Sequence, residues 1–153
     1  MADHGRYNEM RVLVAEDNLG NQRLIATLLQ SLGVEALIVA DGQAAVAEFA
    51  KDDFDLVISD IAMPVMDGLT AVRQIRDIEK REKRVRAAIY MLSSQHSLRD
   101  LRASKAAGAN GHLAKPMTVS MFLHAVEDGL RRARSHGGRQ YAPAASVFQD
   151  LAA

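Results

Sequence analysis

The sequence predicts an α/β domain of the doubly wound kind, one parallel sheet with helices on both faces. Two observations carry this. Five short apolar runs alternate with five segments whose apolar residues recur at helical spacing. Four of those runs also deliver an acidic, hydroxyl or ammonium group at their carboxyl end: Glu16-Asp17, Asp60, Ser93 and Lys115. In an open parallel sheet such ends share one edge, where these sheets bind ligands.

The elements follow in order. Residues 10–15 are near-continuously apolar, as a strand buried on both faces must be. After Asn18, the residues Leu24, Ile25, Leu28, Leu29 and Leu32 repeat at helical spacing, and Gly33 stops the helix. Residues 34–39 read as a second strand, in which Glu35 fits only near a sheet edge. Asp41-Gly42 then turns the chain into a short alanine-rich helix over 44–50, able to lie close to the sheet. A third strand over 54–59 ends at Asp60. The loop Asp60-Ile61-Ala62-Met63-Pro64-Val65-Met66-Asp67-Gly68 is apolar for an exposed segment and holds both a proline and a glycine, which marks it as shaped and functional. The third helix carries Leu69, Val72, Ile75 and Ile78 on one face and frays into a charged run ending at Arg86. A fourth strand over 87–92 ends at Ser93. A weakly amphipathic helix runs from Leu98 through Leu101 to Ala107 and stops at Gly108. The short fifth strand reaches Ala114 and meets Lys115-Pro116; Thr118 caps a last helix whose buried face is Phe122, Ala125, Val126 and Leu130. Right-handed crossovers place these helices on both faces of the sheet.

At 153 residues and 48% apolar content the chain fits one domain with a single core. We read residues 1–9 as an N-terminal extension, 10–134 as the domain and 135–153 as a flexible tail, with a short docking turn at Val147, Phe148 and Leu151 as the alternative reading of that tail. Lys+Arg equals Asp+Glu at 19 each, so no global field gathers nucleic acid or anionic lipid. The basic groups Lys80-Arg81, Lys83-Arg84-Arg86 and Arg131-Arg132-Arg134 read as solvated helix ends. The absence of cysteine excludes thiolate chemistry, disulfides and sulfur-ligated metal. No apolar stretch approaches the roughly 18 residues of a membrane span, and the first residues lack a signal peptide's apolar segment, so a cytoplasmic location is expected. Residues 135–153 are too few for a DNA-binding or enzymatic output module, and no direct contact with nucleic acid or membrane is expected.

Glu16, Asp17 and Asp60 gathered at one edge are like charges at close range, costly alone and well suited to a hard cation. Mg²⁺ takes about six oxygen ligands, few of them from protein, and keeps waters and phosphate oxygens; a backbone carbonyl after Asp60 can add another ligand. Lys115 can pair with Asp60 or with a phosphoryl oxygen, and Ser93 offers a hydroxyl. No Gly-x-x-x-x-Gly-Lys segment follows the first strand, which argues against a P-loop nucleotide binder.

Over about residues 10–133 the chain resembles the receiver domains of two-component response regulators. The resemblance rests on Val12-Leu13-Val14-Ala15-Glu16-Asp17-Asn18, on the loop from Asp60 to Gly68, on Ser93 and on Lys115-Pro116. It implies a flavodoxin-like (βα)5 sheet of order 2-1-3-4-5. It implies that Asp60 is the phosphoacceptor, that Asp17 binds Mg²⁺ directly with Glu16 acting largely through water, and that the Ala62 carbonyl completes the protein ligands. Lys115 would hold the phosphoryl group beside Ser93 and Ser94, and the bond to Pro116 would be cis. On phosphorylation Ser93 would swing inward and the ring of His112 would follow. Partners implied are a histidine kinase or histidine phosphotransfer protein upstream, and a downstream protein or second copy on the face of the fourth helix, fifth strand and fifth helix. The charged end of the third helix is most similar to receivers attached to, or served by, hybrid sensor kinases. Three positions depart from the family's usual residues: His112 in place of tyrosine or phenylalanine, Ser93 in place of threonine, and Ser94 in place of alanine or glycine. An interaction module working without phosphate is the competing class; the complete set of Glu16, Asp17, Asp60, Ser93 and Lys115 favours the phosphoacceptor.

Overall fold

The structure, a computed structural model, describes residues 10–94 and 97–135. Its elements are β1 (Val12–Ala15), α1 (Leu19–Ser31), β2 (Ala36–Val39), α2 (Gly42–Lys51), β3 (Leu56–Asp60), α3 (Gly68–Glu82), β4 (Ala88–Ser93), α4 (Leu98–Ala107), β5 (Gly111–Ala114) and α5 (Val119–Ser135). All strand pairs are parallel and the sheet order is β2-β1-β3-β4-β5, the doubly wound arrangement expected. Among the described residues no helix is long and apolar enough to cross a membrane.

The near-continuous apolarity of β1 has a direct consequence in packing. Val12 and Val14 face one layer, with Ile25 and Leu29 of α1 and Phe122, Val126 and Leu130 of α5. Leu13 and Ala15 face the other, with Ala45 and Phe49 of α2 and Val72, Ile75 and Ile78 of α3. Two faces of one strand thus serve two cores, because successive side chains alternate across a sheet. The helices begin where short polar side chains can satisfy first-turn amides: Asn18 accepts from Asn21 N, Asp41 from Ala44 N, Asp67 from Thr70 N and Ser97 from Asp100 N.

Several boundaries differ from the sequence reading, each for a physical reason. The second strand begins at Ala36 rather than residue 34, because Val34 N donates to Leu29 O and closes α1 instead of entering the sheet. α2 starts at Gly42 directly behind its cap Asp41. α3 does not fray to Arg86. It stops at Glu82, with Lys83 in the left-handed region (φ 55°), and Arg84 turns back to donate to the carbonyls of Phe49, Ala50 and Asp52 at the end of α2. Its guanidinium also lies over the Phe49 ring, 5.3 Å from the centroid, so Arg84 is a clamp between helices rather than a solvated end. Arg131 and Arg132 likewise pair with Asp128. The tail residues Val147, Phe148 and Leu151 lie outside the described residues, as do residues 1–9.

Two buried polar groupings were not legible beforehand. Tyr90 on β4 donates its hydroxyl to Asp128 Oδ2 of α5 at 2.7 Å, and its ring fills the space above Gly111, where a Cβ would overlap it. Burial first, then the bond and charge of Asp128, push the Tyr90 hydroxyl well above its usual value. The second grouping centres on Arg76 of α3, which donates to Glu79, to the carbonyls of Ala87 and Gly108, and to Asn110 Oδ1.

Candidate functional site

Strand register assembles the site. Ala15 pairs with Ser59, Asp60 with Leu92 and Ser93 with Ala114, so the residues just past β1 and β5 and at the ends of β3 and β4 arrive side by side. Glu16 is fully buried; its backbone N–H donates to Val39 O and its Oε2 accepts from Asn18 N at 3.0 Å. Gln22 Nε2 donates to the Glu16 carbonyl at 2.7 Å, tying α1 to the same corner. Asp17 is exposed, and Asp60 is 8% exposed. Carboxylate oxygens of Glu16, Asp17 and Asp60 lie within 4.8 Å of one another.

Lys115 follows β5, and its backbone N–H donates to Ser93 O at 2.9 Å. Its Nζ stands 3.2 Å from Glu16 Oε1 and 3.2 Å from Asp60 Oδ2. Partial burial works against the ammonium, but the Asp60 and Glu16 charges outweigh it and Lys115 titrates above the ordinary lysine value. Three carboxylates against one ammonium leave two negative charges in a recess, which is the charge of one divalent cation. Hard oxygen donors of this kind fit Mg²⁺, as does an exposed Asp17 able to reach an ion without rearranging the core.

The loop after Asp60 is shaped by backbone contacts. Gly68 N donates to Ile61 O at 2.8 Å, and a Cβ at Gly68 would overlap the Asp60 carbonyl, so only glycine closes the loop this tightly. Gly42 N donates to Met66 O at 3.1 Å, which joins the loop to the start of α2. Val65 is 75% exposed and sits at φ 68°, a costly conformation for a β-branched residue. Ala62 is exposed in the same loop.

The structure therefore brings together Glu16, Asp17, Asp60 and Lys115, with Ser93 buried at the adjacent strand end and Ser94 exposed just beyond it. The Lys115-Pro116 bond is cis. His112 lies on β5 opposite Met91, half-buried, with both ring nitrogens out of contact with solvent. Sequence reasoning missed Asn18 and Gln22, whose bonds hold Glu16; the available signal was a polar N-cap directly after two acidic residues.

The geometry matches known proteins. The family model for the response regulator receiver domain matches residues 12–127. The sensory/regulatory protein RpfC of Xanthomonas campestris pv. campestris is 32% identical over 123 residues, covering 80% of this chain and 17% of that protein. The chain thus spans about a sixth of that relative's length. Among solved structures, the receiver domain of the sensor histidine kinase PA1611 from Pseudomonas aeruginosa PAO1, with a magnesium ion coordinated in its active-site cleft, is 32% identical with TM-score 0.72, covering 80% of this chain and 98% of that one. The co-crystal structure of the Saccharomyces cerevisiae histidine phosphotransfer signalling protein Ypd1 and the receiver domain of its downstream response regulator Ssk1 is matched at 30% identity and TM-score 0.73, over 81% of this chain and 91% of that one. With the sheet order, the acidic corner and the bridging lysine already in place, these matches settle the family: the chain belongs to the response regulator receiver domains.

Proposed function

We propose that this chain is a phosphoacceptor in a two-component phosphorelay, taking a phosphoryl group from a partner histidine onto Asp60. The observation that carries the reading is Lys115 Nζ poised 3.2 Å from Asp60 Oδ2 beside a cluster with two uncompensated negative charges. Glu16, Asp17, Asp60 and the Ala62 carbonyl would hold Mg²⁺, which when bound supplies charge neutralisation for the transferring phosphoryl group. Asp60 Oδ attacks phosphorus, the bond to the partner's imidazole breaks, and the histidine leaves with its electron pair. Lys115, released from Asp60, follows the charge onto a phosphoryl oxygen, a movement a single point-charge side chain makes at little cost. Ser93 and Ser94 donate to the remaining oxygens, and the inward shift of Ser93 opens room for His112.

Leu19 at the start of α1, Leu24, Val65 and Val119 at the start of α5 are exposed apolar side chains on elements bordering this corner. They would dock the phosphotransfer protein or kinase, and the α4-β5-α5 face would serve a downstream protein or a second copy. The same reading has the chain working in the cytoplasm. The test is labelling by acetyl phosphate: a Mg²⁺-dependent mass increase that Asp60→Ala abolishes is expected, and labelling that survives the substitution would overturn the assignment.

A further inference from the structure

Among the described residues, the burial and side-chain bonds that fasten α4 gather at its carboxyl end. Of its ten residues just two, Ser104 and Ala107, are buried, both in its second half, whereas Leu98 and Leu101 in its first half stay exposed. At its carboxyl end the chain turns through Gly108 (φ 110°), and the Gly108 carbonyl accepts from Arg76 Nε at 3.0 Å. The same guanidinium reaches Asn110 Oδ1 at 2.9 Å, Ala87 O at 2.8 Å and Glu79 Oε1 at 2.8 Å. Asn110 in turn accepts from Ile89 N and donates its own N–H to Ile89 O, while the other Glu79 oxygen accepts from Ala87 N at 2.7 Å. One planar fork therefore joins α3, the start of β4 and the α4-β5 turn. Its side chain is 10% exposed and that of Glu79 is 3% exposed.

We infer that Arg76 is the fixed pivot of α4: it holds the carboxyl end of the helix to α3 and β4, so that motion of α4 is confined to its amino end, the end that follows Ser93. The inference rests on the phosphoacceptor reading for what drives the motion, and on the geometry alone for where the helix is fastened. A fork is required here, because a point charge can satisfy Glu79 but cannot span four acceptors on three elements. Arg76 does not touch the acidic corner, so its role is in positioning and coupling, not in the transfer.

Arg76→Lys separates the two parts of the claim. In the ligand-free chain, amide exchange at Gly108, Ala109 and Asn110 should rise at least tenfold in this variant, while β1 and β3 keep their protection. With Mg²⁺ and beryllofluoride as phosphoryl mimic, the wild-type chain should show NMR shifts over 97–103 at least threefold larger than over 104–110. In Arg76→Lys the two segments should shift equally, with acetyl phosphate labelling of Asp60 retained. Equal shifts in the wild-type chain, or unchanged exchange at Gly108 to Asn110 in the variant, would overturn the pivot. Failure of labelling in the wild type would overturn the phosphoacceptor reading instead, leaving exchange in the ligand-free chain to decide where α4 is held. If Arg76→Lys does not fold, the double variant R76Q/E79Q, which leaves no buried charge unpaired, gives the same readings.

Discussion

Lys115 Nζ is equidistant, at 3.2 Å, from Glu16 Oε1 and Asp60 Oδ2, so a single ammonium bridges two carboxylates, one just past β1 and one at the end of β3. Lys115→Ala should therefore leave two buried like charges facing each other. Without Mg²⁺ we expect a loss of about 2–4 kcal/mol in urea unfolding, at or below the range for breaking a buried pair because Lys115 is partly solvated. Mg²⁺ should restore much of that loss and bind the variant more tightly than the wild type. Equal stability of the two chains in EDTA would refute the bridging role.

Asp17 and Glu16 should separate by experiment. Asp17 is exposed and Glu16 is fully buried with bonds to Asn18 and Lys115. Asp17→Ala is expected to weaken Mg²⁺ binding at least tenfold, about 1.4 kcal/mol, with little change in melting temperature. Glu16→Ala should lower the melting temperature and cost less affinity. Metal titrations giving equal losses would count against the assigned roles.

Asp128 predicts part of the acid limb of stability. Burial alone would raise its value, but the bonds from Tyr90 and Arg132 and the charges of Arg132 and Arg131 hold it below the usual carboxylate range. A carboxyl depressed in the folded state adds stability above its unfolded value, and this is lost as pH falls through the folded one. Stability of the wild-type chain should thus drop below about pH 4, and Asp128→Asn should flatten that part of the profile. Parallel profiles from pH 7 to 2.5 would show that Asp128 makes no such contribution.

Gly68→Ala tests the loop. The added Cβ would overlap the Asp60 carbonyl, and backbone cannot yield as a side-chain tip can. We expect about 1–3 kcal/mol of destabilisation together with slower acetyl phosphate labelling, since the displaced atom belongs to Asp60, the phosphoacceptor we propose. Wild-type labelling kinetics in a stable variant would show that the loop has slack.

The fold was legible because each layer of evidence agreed: unbroken apolarity in β1, helical period in α1 and α3, and glycine stops at Gly33 and Gly108. The acidic corner was legible because parallel strands bring their carboxyl ends to one edge, whatever the distance in sequence. Arg76 and Arg84 were not. A charged residue on a helix, or just past its end, reads as solvated, and nothing local indicates that Arg76 finds Asn110 or that Arg84 finds Phe49 and Ala50, each more than thirty positions away. Val34 misled in the opposite direction, its apolar side chain suggesting a strand while its amide completes α1.

The ring of Tyr90 above Gly111 has a consequence for how relatives of this chain diverge. Because the ring takes the volume where a side chain at position 111 would stand, the two positions are not free to change separately. A relative that replaces the tyrosine with a small residue can accept a bulky one across the strand pair. A relative that keeps the aromatic ring has to keep glycine. The pair is then expected to covary, and a library randomising both positions together should return folded members enriched in large-small and small-large combinations over large-large ones.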